Sequence, residues 1–155
     1  MDGETESDGA AGTAEGPGPP TTALGEAAAL VGDRWSLLVV HALLDGPKRF
    51  NDLLGALPGL APNILTRRLR HLEREGVLVA TPYSRRPPRF VYELTASGRE
   101  LAGALRLLAQ WGAGRGGSTD ALTHAACGTA MDARWWCPTC ATVVDDDQGD
   151  ELRFV

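Results

Sequence analysis

His124, Cys127, Cys137 and Cys140 stand in the stretch HAACGTAMDARWWCPTC (residues 124–140), which holds all three cysteines of the chain. The spacing is His-x2-Cys and, nine residues on, Cys-x2-Cys. Two ligand pairs, each on a tight turn, suit a tetrahedral Cys3His zinc site of the ribbon type. Gly128 leaves room for backbone N–H groups to approach the Cys127 sulfur. Four protein ligands leave no open position for water, so such a site is structural rather than catalytic. In a module of fewer than about 40 residues a metal commonly replaces a core, with Trp135 and Trp136 as its cover. Asp120 and Asp132 are alternatives to His124 as the fourth ligand. Two other chemistries compete. WCPTC also reads as a dithiol redox pair, but that pair needs a βαβ setting, and only fifteen residues follow Cys140. The same ligands also suit a metal sensor.

A second set of residues can bind anions. Along PNILTRRLRHLER (62–74), at about 100° per residue, Ala61, Leu69 and Leu72 fall within about 40° of Leu65. Asn63, Arg67, Arg70 and Arg74 occupy an arc about 60° wide on the opposite side, with Thr66 at its border. Arginine forks grip phosphate or read guanine, and Asn can read adenine. Arg85, Arg86 and Arg89 flank Pro87-Pro88 and make a stiff basic tip suited to a minor groove or to phosphates. Lys48 and Arg49 add backbone contacts. For the helix alone, an ordinary solvated charged face is an equally simple reading; the three elements together point to double-stranded DNA.

These residues need a scaffold, and the punctuation of the chain supplies one. TTALGEAAALVG is a short helix with Thr22 as N-cap and Gly32 as its stop. A second helix starts from Asp33 and ends at Gly46-Pro47. Phe50, Leu53, Leu54 and Leu57 share one face of a third. Pro62 fits the first turn of the fourth, which closes at Gly76. VLVATPY and RFVYELT are β-rich runs joined through SRRPP, and Thr95 caps a last helix. Helix-turn-helix followed by a basic two-stranded ribbon is a winged helix. The expected class is α+β, mainly α. The expected divisions are a disordered acidic tail (1–21), a winged-helix domain (22–113), a Gly-rich linker (114–121) and a zinc-ribbon-like module with an acidic tail (122–155).

Charge follows the same divisions. Residues 1–32 carry six acids and no Lys or Arg; residues 33–116 carry thirteen Lys or Arg against seven acids; residues 117–155 carry two Arg against seven acids. The basic middle between acidic ends calls for an anionic partner at the middle only. The start, MDGETESDGA, has neither the basic segment nor the apolar run of a signal peptide, and Leu37–Leu44 is too short to span a bilayer. A cytoplasmic protein with no membrane partner is expected. No Gly-rich phosphate loop, Gly-x-Ser-x-Gly or paired catalytic carboxylate motif is present, so an enzyme is not expected. His41 reads as core or interface and His71 as solvated. A small-molecule effector leaves no signature in the sequence.

Residues 22–112 resemble the HxlR-type winged-helix transcription regulators. That family shows Gly-(Asp/Lys)-(Arg/Lys)-Trp, here Gly32 to Trp35; Gly-Pro-x-Arg-Phe-x-(Glu/Asp)-Leu, here Gly46 to Leu53; and Pro-Pro-Arg-x-x-Tyr-x-Leu-Thr, here Pro87 to Thr95. The resemblance implies a homodimer built on the first and last helices and binding a pseudo-palindromic operator. Leu24, Leu30, Leu105, Leu108 and Trp111 are then dimer candidates, although core packing explains each equally well. Many members carry a cysteine just before the first helix, and some use it to sense oxidants or electrophiles. That position falls near Thr22 here, with no cysteine nearby, so sensing through that thiol is not open to this chain. Some members carry a C-terminal Cys/His extension similar to residues 124–140.

Overall fold

The computed structural model describes residues 22–116 and 122–144. The expected acidic tail at 1–21 and the acidic end beyond Val144 lie outside the described residues. The element order is α1 (Ala23–Val31), α2 (Arg34–Leu43), β1 (Lys48–Arg49), α3 (Phe50–Ala56), α4 (Pro62–Arg74), β2 (Leu78–Arg85), β3 (Pro88–Leu94), α5 (Ala96–Glu100), α6 (Ala102–Gly116), β4 (Trp135–Cys137) and β5 (Thr142–Val144). This is the expected mixed, mainly helical class. Strands β1, β3 and β2 form an antiparallel sheet in that order, and β4 pairs with β5 in a separate hairpin.

The helix boundaries follow local chemistry. Thr22 accepts from the Gly25 N–H at 3.0 Å, and Asp33 Oδ1 accepts from the N–H groups of Trp35 and Ser36 at 3.0 and 3.3 Å. Each such cap satisfies a donor that a helix leaves open at its start. Pro62 occupies the first turn of α4, where its missing N–H is harmless. Leu53 of α3 and Leu57 just after it, Leu65, Leu69 and Leu72 of α4, and Val39, Val40 and Leu43 of α2 join Leu78 and Leu94 of the sheet in one core. Phe50 and Leu54 pack against its edge.

Polar ties lock α4 onto this core. Arg68 Nε lies 2.9 Å from Asp33 Oδ1, the same oxygen that caps α2. His71 Nε2 lies 2.8 Å from the Leu30 carbonyl oxygen at the end of α1, and its Nδ1 lies 3.8 Å from Glu75. His71 is therefore a link between helices rather than a solvated side chain. His41, expected in the core or an interface, is exposed on this chain. Ala61, expected on the apolar stripe, is the exposed N-cap of α4 and sits outside the helical repeat.

Three further features depart from the sequence reading. Lys48 and Arg49 form a third strand against Tyr92 and Val91. The last helix breaks at Leu101 into α5 and α6. Helix α6 continues to Gly116, past the expected boundary at 113 and into the expected linker. The α5 turn sits close to the sheet. A Cβ on Gly98 would lie 2.1 Å from the Val77 carbonyl oxygen, so only glycine fits. The Thr95 hydroxyl fixes the same corner by donating to the Gly76 carbonyl at 2.6 Å while accepting from the Gly98 N–H at 3.1 Å.

Asp33→Ala removes a cap and the Arg68 partner and is expected to destabilise the fold by about 2 kcal/mol. Asp33→Asn keeps the capping oxygen and should cost about half of that. Gly98→Ala should lower stability by about 1–3 kcal/mol through overpacking. Urea unfolding monitored by tryptophan fluorescence measures all three.

Candidate nucleic-acid interface

The outer face of α4 is built as the residue angles require. Leu65, Leu69 and Leu72 are buried, while Asn63, Arg67, Arg70 and Arg74 are exposed. These four, with Thr66 and Glu73, line one open groove along the helix. Thr66 is half-buried, and its hydroxyl donates back to the Pro62 carbonyl at 2.9 Å, which leaves its methyl group as the contact surface. The Asn63 side-chain oxygen accepts from the Ile64 N–H at 2.9 Å, so the amide NH2 is the part left to face a ligand.

The wing stands beside this face. Arg85 pairs with Pro88 at the end of the hairpin, and Arg85, Arg86 and Arg89 are exposed. A cleft between α3, α4 and the wing is lined by Arg49, Asn51, Thr66, Tyr83, Arg89 and Phe90, among others. It therefore joins the strand before α3, the recognition-type helix and the wing in one continuous surface. Tyr83 occupies the irregularity between Pro82 and Ser84, where the β2–β3 register shifts. β2 lies at the edge of its sheet, where a proline is tolerated. The Arg49 guanidinium lies over the Tyr83 ring, 4.8 Å from its centroid, a cation–π contact that holds the fork at the mouth of the cleft. Lys48 is half-buried, 3.9 Å from Asp45, and is the least available of the expected basic residues.

Sequence reasoning missed several participants. Arg68 lies on the flank of the apolar stripe and serves the fold, not the outer face. Glu73 places a carboxylate in the same groove as the arginines; its helical angle sets it beside Thr66 at the border of their arc. The Tyr92 hydroxyl beneath α4 is held above the usual phenol range, mainly by burial, with the Glu73 charge adding and Arg70 opposing. Tyr92 is therefore a neutral phenol at physiological pH. Asn51, Tyr83 and Phe90 join the surface through the α3 start and the bulge, which no periodicity reveals.

The dimer candidates separate into two kinds. Leu105 is 7% exposed and belongs to the core. Leu24, Leu30, Leu108 and Trp111 are exposed.

The cysteine region forms two hairpins. In the first, a Thr123–Ala130 bridge brackets the turn, and His124 Nδ1 lies 3.4 Å from Cys127 Sγ. In the second, β4 and β5 bracket Cys137 and Cys140. The Cys127 thiol is shifted below its ordinary range by hydrogen bonds from Thr129, side chain and backbone, and from His124. The Cys137 thiol is lowered by the Cys140 backbone N–H and side chain and by the Thr139 N–H. Among the described residues, no three metal-ligating side chains are gathered at one point. The structure thus brings together each expected pair but not the four.

Known proteins share this architecture. HTH-type transcriptional regulator Rv3095 of Mycobacterium tuberculosis is 38% identical over 121 residues, 76% of this chain and 76% of its own. The crystal structure of the HTH-type transcriptional regulator YtcD, known from Bacillus subtilis, superposes with a TM-score of 0.58 at 32% identity, covering 63% of this chain and 99% of that one. PA1374 of Pseudomonas aeruginosa, assigned as a transcription factor, superposes with a TM-score of 0.64 at 31% identity over 79% of this chain and 86% of its own. The HxlR-like helix-turn-helix family model matches residues 30–119, the span from the end of α1 through α6 that builds the basic face and its frame. With sequence and fold agreeing over that span, the chain belongs to the HxlR-like helix-turn-helix family.

Proposed function

We propose that this protein regulates transcription by binding double-stranded DNA as a homodimer, with α4 in the major groove and the wing on the neighbouring minor groove or phosphates. One observation carries the reading: Asn63, Arg67, Arg70 and Arg74 are exposed on a single face of α4, continuous with Arg49 and Arg89 of the wing cleft. A helix-turn-helix reads bases with such a face, N-terminal end first. On that geometry Asn63 and Arg67 meet base edges, Arg70 meets bases or phosphate, and Arg74 meets phosphate. Arg49, Arg85, Arg86 and Arg89 neutralise backbone charge. The relatives named as transcriptional regulators support the same assignment.

The homodimer rests on surface that one chain leaves uncovered. Helix α1, ALGEAAALV, buries only Val31; Leu24 is 79% exposed and Trp111 on α6 is 62% exposed. An apolar helix of this kind requires a partner face. Pairing α1 and α6 of two chains would cover Leu24, Leu30, Leu108 and Trp111 and present two α4 helices to a two-fold operator. Half-sites about 34 Å apart, one turn of DNA, fit such dimers. No helix among the described residues is long and apolar enough to cross a membrane, and a regulator of a bacterial chromosome works in the cytoplasm.

Arg67→Ala with Arg70→Ala is expected to weaken binding to the DNA flanking the protein's own gene by at least tenfold. It should also flatten the log–log salt slope by at most about 1, for the one phosphate that Arg70 neutralises. Fluorescence anisotropy across a salt series measures both, and unchanged affinity would remove α4 from the interface. Trp111→Glu with Leu108→Glu is expected to halve the mass in sedimentation equilibrium and to weaken operator binding with it. A double variant that still sediments as a dimer would move the interface elsewhere.

A further inference from the structure

Residues 122–144 have no core. Every residue there is exposed except Cys137 and Val144, which are only half-buried. Met131, Trp135 and Trp136 lie on the surface. A segment this short, with no buried apolar side chain, needs a cross-link to hold one conformation.

The two hairpins nevertheless repeat one local design from unrelated sequences. HAACG and CPTCA each place two ligand-type side chains at i and i+3. Each follows the second ligand with a left-handed residue: Gly128 at φ +69° after Cys127, and Ala141 at φ +53° after Cys140. Ala141 is the one non-glycine residue at positive φ among the described residues, a conformation that side chains with a Cβ seldom adopt. Each turn also aims backbone N–H groups at sulfur. Thr129 donates to Cys127, and Thr139 and Cys140 donate to Cys137. The first turn is closed by the Cys127 and Gly128 N–H groups donating to the His124 carbonyl at 3.2 and 2.8 Å.

The spacing of the donor atoms fits a metal. With Zn–S near 2.3 Å and Zn–N near 2.0–2.1 Å, two ligands of a tetrahedral zinc lie about 3.6 Å apart. His124 Nδ1 and Cys127 Sγ are 3.4 Å apart. A left-handed residue is ordinary in a tight hairpin turn; what the two turns add is a pair of metal-ligating side chains at i and i+3, with N–H groups turned toward the sulfur that a metal-bound thiolate would use.

We propose that the two hairpins are half-sites for one zinc ion per chain, held by His124, Cys127, Cys137 and Cys140, and that the ion draws them together into a closed structural module. Binding converts three thiols to thiolates and releases their protons, with His124 neutral. The ligand set is soft and four-coordinate, which selects zinc over magnesium or calcium. The first hairpin already lies along α6, where Leu122 and Met131 share a shallow pocket with Leu107 and Gln110. The metal therefore fixes the second hairpin to a unit that rests on the last helix of the winged domain. This site is independent of the DNA-binding face.

The test uses the full chain purified under reducing conditions, with metal measured by mass spectrometry and cobalt(II) as the optical probe. The expected result is one zinc per chain and a cobalt spectrum with tetrahedral ligand-field bands and thiolate charge transfer. Cys137→Ser and His124→Ala should each lose most of the metal. Because Cys137→Ser could simply unfold the module, His124→Cys is the decisive variant: it should retain one metal per chain and strengthen the thiolate charge-transfer band. Metal content unaffected by His124→Ala would overturn the assignment. So would one metal per two chains, or a reduced chain that stays metal-free when zinc is supplied.

Discussion

A single carboxylate oxygen, Oδ1 of Asp33, accepts from two first-turn N–H groups of α2 and is ion-paired with the Arg68 guanidinium of α4. Leucines alone would hold α4 against α2 with some freedom to roll, because apolar packing is not directional. The ion pair to Arg68 removes that freedom, and the His71 contact to the Leu30 carbonyl adds a second stop one turn along. The rotation of α4 decides which side chains face outward. The Gly-Asp-Arg-Trp signature thus serves the reading head from a distance: its Asp orients a helix that lies thirty residues further along the chain.

Much of this was legible in the sequence because local rules govern it. Caps at Thr22, Asp33 and Thr95, the proline at the start of α4 and the apolar repeats of α3 and α4 all report through side chains near in sequence. What escaped depends on pairings across the fold. Lys48 and Arg49 become a strand only because Val91 and Tyr92 offer a free edge. Tyr83 reaches Arg49 only because the β2–β3 register shifts beside Pro82. Arg68 and His71 lie on the flanks of the helix, where angle alone separates neither core from surface nor tie from ligand. Leu105 and Trp111 are both large apolar residues of the last helix, yet Leu105 joins the core and Trp111 stays exposed. The metal candidates show the same divide: spacing gives each pair, but bringing the pairs together is a long-range event.

The two parts of the chain hold their shape by different physics. The winged domain has a continuous core that buries leucines from α2, α3, α4 and the sheet. The C-terminal segment has hairpin hydrogen bonds, two tight turns and exposed tryptophans, with nothing apolar enclosed. The basic face likewise differs from a uniform positive patch. Glu73 sits within it, and Arg99 is turned away into a pair with Glu93. The charge offered to a ligand is shaped by position, not by the count of arginines.

Helix α4 divides its labour cleanly. Leu65, Arg68, Leu69, His71 and Leu72 attach it to the fold, while Asn63, Arg67, Arg70 and Arg74 are exposed, and the hydrogen bonds of Asn63 and Thr66 stay within the first turns of the helix itself. Substitutions at the exposed arginines leave the buried core intact and should cost the scaffold no more than about 0.5 kcal/mol each. A lineage carrying this helix can therefore drift in target preference one outward side chain at a time, while selection for folding acts on a separate set of positions. Duplicated copies can diverge into regulators of different genes without first having to be rebuilt.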